Sequence, residues 1–274
     1  MSLTVARPPA AQGLTWVRLG WDLFKQAPVP WSGMTALVFL LLMLLGALPY
    51  VGGFLIHALS PFIVAGYLAA SRAGSRGEPV TFVFLGAGLG QGRDSLLVMG
   101  LAYMLASLLV FRGVAFFTGA DLSLLTAQVQ DPHALTPEEA RALLDGILPA
   151  MGLGVLLMTP LLMATWFSPG LAHFENFRPW KAMWWSLWAC AVNWRPILVY
   201  SSLLGLLAMV ALIIPFGLGL LVFIPLALIS TYAAYRDIFV PAGEGAGAAG
   251  SESVATQDRG DSAGLNGRDG GPGE

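Results

Sequence analysis

Two ionisable side chains, His57 and Arg112, fall inside long apolar stretches of the sequence. Ionisable groups in segments that cross a bilayer usually mark functional sites, because hydrocarbon disfavours charge. His57 has no charged side chain in its own stretch, and a neutral imidazole near a turn satisfies itself easily. Arg112 lies about 17 residues into its stretch, or about 26 Å along a helix, from where it can snorkel to the headgroups. We carry both as polar candidates without assigning them a reaction.

The other chemistry-bearing residues complete no catalytic motif. The sequence lacks H-E-x-x-H and G-x-S-x-G patterns, and its alternating glycines at 86–92 complete no nucleotide-binding loop. The single cysteine, Cys190, excludes an intramolecular disulfide and a cysteine-based metal site. Six titratable residues between the third and fourth apolar stretches form at most a weak cation site: Asp121, Asp131, His133, Glu138, Glu139 and Asp145. We predict no catalytic, cofactor-binding or metal-binding residues, no enzyme activity and no nucleic-acid partner.

The composition indicates which elements must position these residues. Apolar residues make up 56% of the 274-residue chain and charged residues only 11%, whereas soluble domains carry about 25% charge. Long stretches lack Lys, Arg, Asp and Glu, and about 20 apolar residues suffice to cross the bilayer as a helix. Solid apolar runs are typical of helices and not of barrel strands. We predict an all-α bundle of six transmembrane helices near 30–49, 53–72, 95–117, 149–172, 196–214 and 218–236.

The basic residues predict the orientation. With the N-terminus inside, twelve of the fourteen Lys and Arg residues fall on the cytosolic side, and only Arg112 and Arg141 fall outside. This bias predicts that both termini of a bacterial inner-membrane protein are cytosolic. From residue 241 onwards, glycine, alanine, serine and acids dominate, which is typical of a disordered tail. We therefore predict an N-terminal tail over 1–12, a membrane domain over 13–240 and a cytosolic tail over 241–274.

Tryptophans concentrate near the predicted cytosolic interface, where aromatic side chains anchor membrane proteins. Residues 14–25 combine a polar stripe with an apolar stripe at helical spacing, which predicts a helix lying in the headgroup plane. Residues 179–195 repeat the pattern with less charge. The predicted anchors are Trp16, Trp21, Trp180, Trp184, Trp188 and Trp194. Plain anchoring and a surface that binds lipid or a partner remain alternatives for both segments.

Prolines recur in pairs and predict an internal repeat. In the pairs Pro49/Pro61, Pro149/Pro160 and Pro215/Pro225, the first proline belongs to an outer turn and the second to the returning helix. We predict three units of interfacial segment plus hairpin, over 13–72, 79–173 and 179–236, with an outer insertion over 118–147 in the middle unit. Residues 80–90 are too rich in glycine for a firm helix. Pro61, Pro160 and Pro225 either bend helices around one central path or merely ease packing.

The chain resembles a family of uncharacterised bacterial six-helix inner-membrane proteins. The resemblance rests on the amphipathic opening at 13–24, the leucine-rich first hairpin and Asn193-Trp194-Arg195-Pro196 before the last hairpin. More distantly, the chain is similar to the membrane domain fused to some glycerophosphodiester phosphodiesterases. The resemblance implies an inner-membrane location and brings no activity, because the soluble catalytic domain of the phosphodiesterases has no counterpart here.

The scarcity of intramembrane charge favours a non-enzymatic role. A scaffold, assembly or envelope-organising factor needs no such charge, and its partners are membrane lipids, another membrane protein or a second copy of the chain. The alternative is a carrier or channel for an apolar or amphiphilic solute or lipid. A proton- or sodium-coupled transporter is disfavoured, because Asp and Glu are missing from the apolar stretches.

Overall fold

The computed structural model describes residues 3–49, 51–118 and 137–241. Residues 119–136, the core of the outer insertion predicted over 118–147, lie outside the described residues. So do residues 242–274 of the predicted C-terminal tail. The expectations for these two segments stay predictions.

Six helices are long and apolar enough to cross a membrane, which confirms the predicted spans and the all-α fold class. Their mean hydropathy lies between 1.3 and 2.3, and their ends differ from the predicted ones by a few residues. The spans are α2 (Pro28–Gly46), α3 (Gly52–Ser75), α4 (Arg93–Thr118), the segment Ile147–Glu175 within α5 and α6, α8 (Trp194–Ile213) and α9 (Leu220–Ile238).

The fourth span departs from the expected hairpin geometry. Helix α5 (Pro137–Trp166) runs without interruption through Pro149, which we had expected at an outer turn. Neighbouring groups in a membrane bundle can satisfy the backbone that a proline frees, so a helix can continue through it. After α5 the chain breaks at Phe167 and resumes as α6 (Ser168–Glu175).

At the break at Phe167, the side chain of Ser186 inserts into the backbone hydrogen bonds of the helix. In a continuous helix the Phe167 N–H would donate to the Met163 carbonyl. Instead it donates to Ser186 Oγ at 3.0 Å, and the Ser186 hydroxyl donates to the Met163 carbonyl at 2.7 Å. Pro169 at the start of α6 also favours a boundary here. Ser186 thus bridges the interrupted bond and fixes the bend.

Three shorter segments precede the hairpins, as the sequence predicts. They are α1 (Gln12–Gln26), a 3₁₀ helix (Phe82–Leu89) and α7 (Pro179–Val192). The glycine-rich middle segment forms the weaker 3₁₀ helix, in line with the expectation that it is no firm α-helix. A 3₁₀ turn (Pro215–Gly217) connects α8 to α9.

Each of these segments packs against the hairpin of another predicted unit. Helix α1 packs on α8 and α9, the 3₁₀ helix Phe82–Leu89 packs on α2 and α3, and α7 packs on α4 and α5. The short segment of the first unit thus contacts the hairpin of the third unit, that of the third contacts the hairpin of the second, and that of the second contacts the hairpin of the first. The three-unit repeat itself stays a prediction.

The two ends of the membrane domain meet in a small antiparallel sheet that the sequence analysis missed. Strand β1 (Leu3–Val5) pairs with β2 (Phe239–Pro241), with Thr4 opposite Val240. Residues 3–5 therefore belong to the folded domain and not to a free tail. We call this side of the bundle the terminal end, and the side with the α2–α3 and α8–α9 turns the hairpin end.

Candidate functional site

His57 lies beside an intramembrane pocket of about 280 Å³ between α3, α4, α5 and α6. Its imidazole contacts the ring of Tyr103, with ring centroids 5.7 Å apart. The other polar groups of the lining are the hydroxyls of Ser60, Thr165 and Ser168. His57 thus contacts a phenol ring from the next span, a pairing that no short-range sequence pattern indicates.

The serine and threonine hydroxyls of this pocket already donate to backbone carbonyls. Ser60 donates to the carbonyl of His57 at 3.0 Å. That carbonyl is the one that Pro61 leaves without a helical donor, since proline has no N–H. Ser60 therefore supplies the hydrogen bond that the helix cannot provide at this position. Thr165 and Ser168 likewise donate to Leu161 and Thr165 carbonyls at 3.0 and 3.3 Å.

The three prolines of the predicted bends occupy different environments. Pro61 and Pro225 are buried, whereas Pro160 is exposed on the outside of the described bundle. The three prolines therefore do not share one environment, and a path lined by them stays a prediction.

Arg112 and five of the predicted tryptophan anchors lie on the surface. Arg112 is exposed in the last two turns of α4, close to the hairpin end, and its snorkelling stays a prediction. Trp180 and Trp184 are 68% and 67% exposed on one face of α7. The remaining exposed anchors are Trp21, Trp188 and Trp194.

Trp16 is not a lipid-facing anchor, and this prediction was wrong. Its side chain is fully buried, packs edge-on against Tyr200 at 5.7 Å and donates its Nε1–H to Asp237 at 2.8 Å. The face of α1 that enters the bundle carries Gly13, Trp16, Val17, Gly20 and Phe24. It shares Val17 and Phe24 with the predicted apolar stripe and extends to the side of that stripe away from the polar one. The exposed stripe of leucine and tryptophan made α1 resemble a free interfacial helix.

Close helix approach positions α1 across α8 and α9. An added Cβ at Gly13 would lie 2.5 Å from the Pro196 carbonyl oxygen, and one at Gly20 would lie 2.8 Å from Ser230 Cβ. Only glycine therefore permits this packing distance at either position. Tyr200 completes the terminal-end contact between α8 and α9, since its hydroxyl lies within 3.1 Å of Ser230 Oγ and the Ala227 carbonyl oxygen.

Beyond this contact, an apolar crevice of about 720 Å³ lies between α1, α8 and α9. The lining residues recur at helical spacing on all three helices, so each helix contributes one stripe. Helix α8 contributes Leu203, Leu207, Val210 and Ala211, helix α9 contributes Val222, Phe223 and Leu226, and α1 contributes Leu14, Val17, Arg18 and Trp21; Ile214, Leu218 and Gly219 of the α8–α9 connection complete the lining. The sequence analysis missed the crevice, because a stripe facing a cavity and one facing lipid have the same composition.

Arg18 is the one charged residue among those that line the crevice. It is exposed at the terminal end, and no carboxylate of the described residues lies within 4.0 Å of its guanidinium. The nearby acid of α1, Asp22, pairs with Lys25 at 2.9 Å instead. The crevice thus combines apolar walls with one positive charge that has no carboxylate partner. We call the part of the crevice beside Arg18 its mouth.

The described residues contain no group of three His, Cys, Asp or Glu side chains that could hold a metal ion. Asp121, Asp131 and His133 of the predicted outer cluster lie outside the described residues.

Comparison with known proteins supports the membrane assignment. A protein of Burkholderia thailandensis named "Probable inner membrane protein" is 27% identical over 254 aligned residues, which cover 84% of this chain and 92% of the relative. No protein-family model and no solved structure matches the chain. The similarity to the membrane domain of glycerophosphodiester phosphodiesterases finds no support in these comparisons. Together with the six apolar helices, the relative indicates a multi-pass inner-membrane protein.

Proposed function

We propose that this inner-membrane protein is a non-catalytic binder or carrier of an amphiphilic lipid, which it holds in the crevice between α1, α8 and α9. The observation that carries the proposal is the crevice itself, with apolar stripes from three helices and Arg18 at its mouth. We also propose that both termini are cytosolic, because that orientation places twelve of the fourteen basic residues inside.

The dimensions of the crevice suit an acyl chain. Its volume of about 720 Å³ lies within the roughly 300–1,000 Å³ of typical ligand sites. The α8 wall runs from Leu203 to Ile214, about 16 Å at the helical rise, or about half of the hydrocarbon thickness. An acyl chain lying against this wall exchanges contacts with bulk lipid for contacts with a fixed protein surface. Because both surroundings are apolar, shape complementarity supplies the preference for the bound position.

Arg18 gives the proposed site its headgroup chemistry. A guanidinium without a carboxylate partner pairs favourably with a lipid phosphate, and Trp21 beside it suits the interface between headgroups and chains. In the proposed orientation this mouth opens towards the cytosolic leaflet, whose anionic lipids attract basic residues. We therefore expect an anionic phospholipid, such as phosphatidylglycerol, to be preferred over a zwitterionic one.

A pair of neighbouring residues on α8 provides a matched test. Leu207 lines the crevice, whereas Leu206 is 59% exposed and is not among the lining residues. Native mass spectrometry of protein purified in a neutral detergent, with added palmitoyl-oleoyl phosphatidylglycerol, should show at least fivefold less bound lipid for Leu207→Trp. Leu206→Trp should bind as wild type does. Equal binding by all three proteins contradicts the proposal.

The scaffold or assembly role is a second candidate, favoured by a different feature. Trp180, Trp184 and Trp188 form an exposed row on α7 at the terminal end, outside the six spans. Such a row can bind either another membrane protein or the interfacial region of the bilayer. If the scaffold role is correct, replacing all three tryptophans with leucine should release a co-purifying partner protein. If the lipid-binding role is correct, the same replacement should leave the amount of bound lipid unchanged.

A further inference from the structure

A second pocket, separate from the crevice, lies at the terminal end between α3, the 3₁₀ helix Phe82–Leu89 and α6. Its volume is about 350 Å³, and its polar lining groups are Arg72, Arg76, Glu78, Gln91 and His173. Arg72 belongs to the last turn of α3, Arg76 is the first residue after that helix, and both line the pocket. The fold therefore directs two guanidinium groups towards one concave surface.

Neither arginine of this pocket is neutralised within the described part of the chain. No carboxylate there lies within 4.0 Å of either guanidinium, and Glu78, although it shares the pocket, forms no ion pair. Arg72 lies over the ring of Phe174, with its Cζ 5.1 Å from the ring centroid. This cation–π contact holds the guanidinium plane while leaving its N–H groups available to a ligand.

His173 adds a positioned imidazole to the same pocket. Its Nδ1 lies 3.3 Å from the carbonyl oxygen of Gln91. Because a carbonyl only accepts, this contact makes Nδ1 the protonated nitrogen and leaves Nε2 to interact with a ligand. The pocket thus brings two guanidinium forks and one imidazole to a space large enough for a small anion and its substituent.

We propose that this pocket binds a phosphate group, carried either by a phospholipid headgroup or by a soluble phosphate ester. Arginine forks match the oxygen geometry of phosphate and form two parallel hydrogen bonds to it. The proposal does not depend on the crevice, since the two pockets share no lining residue. Loss of lipid binding in Leu207→Trp therefore leaves this site intact.

Isothermal titration calorimetry on the full chain in a neutral detergent tests the proposal. The probes are dihexanoyl phosphatidylglycerol, sn-glycerol 3-phosphate and, as a phosphate-free control, dihexanoyl glycerol. We expect wild-type protein to bind at least one phosphate probe and Arg72→Gln/Arg76→Gln to bind it at least tenfold more weakly. Binding of glycerol 3-phosphate identifies a soluble ester as the source, whereas binding of the phosphatidylglycerol alone identifies a lipid headgroup.

Two further variants separate the pocket from general charge loss. Arg195→Gln/Arg236→Gln removes two arginines that are exposed at the same end but do not line the pocket, and it should bind within twofold of wild type. Arg72→Lys/Arg76→Lys keeps the charge without the fork and should bind with intermediate affinity. Three results each overturn the proposal: no binding of either phosphate probe by wild type, equal binding of dihexanoyl glycerol, or an equal loss in the Arg195→Gln/Arg236→Gln control.

Discussion

The indole N–H of Trp16 donates to the carboxylate of Asp237 at 2.8 Å, joining the first helix of the chain to the last. The same carboxylate oxygen accepts a second hydrogen bond from Gln12 Nε2 at 2.7 Å. Because Trp16 is fully buried, these bonds hold α1 as a packed element of the bundle. A helix fixed in this way forms a rigid wall of the crevice.

Removal of the Asp237 carboxylate should destabilise the protein. Asp237→Ala leaves the Trp16 and Gln12 donors without their acceptor, at a cost of about 2–3 kcal/mol. We expect a fall in the apparent melting temperature of roughly 4–12 °C in detergent, measured by differential scanning fluorimetry. The control is Asp22→Ala, which breaks an exposed pair with Lys25 and should cost less than about 1 kcal/mol. Equal effects of the two variants would refute the structural role of Asp237.

Close packing of α1 on α9 depends on the missing side chain at Gly20. In Gly20→Ala the new Cβ meets Ser230 Cβ at 2.8 Å, and relief of the overlap should cost about 1–3 kcal/mol. Gly113→Ala in α4 is the matched control, because among the described residues no atom outside its own stretch of helix backbone lies within 4 Å of the added Cβ. Its stability should stay unchanged or rise by up to about 1 kcal/mol, since alanine favours a helix. A stable Gly20→Ala protein would show that α1 packs more loosely than described.

Cys190 should be inert in the folded protein. It is buried in α7, and burial raises the pKa of its thiol to about 12, so the thiol stays neutral through pH 9. Its S–H donates to the Met163 carbonyl at 3.6 Å. We expect no reaction with N-ethylmaleimide at pH 7–9 within an hour and complete reaction in denaturant, both read by intact-protein mass spectrometry. Rapid labelling of the folded protein would contradict the burial of this residue.

The inertness of Cys190 makes introduced cysteines specific probes of orientation. Ser75→Cys, at the terminal end of α3, should react with a membrane-impermeant maleimide only after the inner face is opened. Ala127→Cys, in the predicted outer insertion, should react in intact cells. The opposite pattern would reverse the orientation proposed from the basic residues.

The sequence predicts the parts of this structure that depend on composition. It does not predict the parts that depend on contacts between residues far apart in the chain. The spans follow from apolar length, because a bilayer sets one requirement for every helix. The burial of Trp16 depends on Asp237, more than 200 residues away, and on the glycines that let α1 approach α8 and α9. The break at Phe167 depends similarly on Ser186, which belongs to a different helix. Such partners leave no periodic signal in the sequence.

Both pockets required the structure for the same reason. Arg18 belonged to the polar stripe of α1 in the sequence, yet its position at the mouth of the crevice depends on how α1 crosses α8 and α9. In the sequence, Arg72 was likewise only a basic residue at the end of the second predicted span, whereas in the structure Phe174 and His173 of α6 lie beside it.

An experimental map of the protein in phosphatidylglycerol nanodiscs tests the central proposal most directly. By cryo-electron microscopy, we predict an elongated density in the crevice, extending from Arg18 past Leu207 and Val210 towards Leu218. A headgroup-sized density should adjoin the guanidinium of Arg18. A map in which α8 and α9 close the crevice by direct contact, or in which no ordered chain lies along it while lipids are ordered elsewhere on the bundle, would contradict the lipid-binding function.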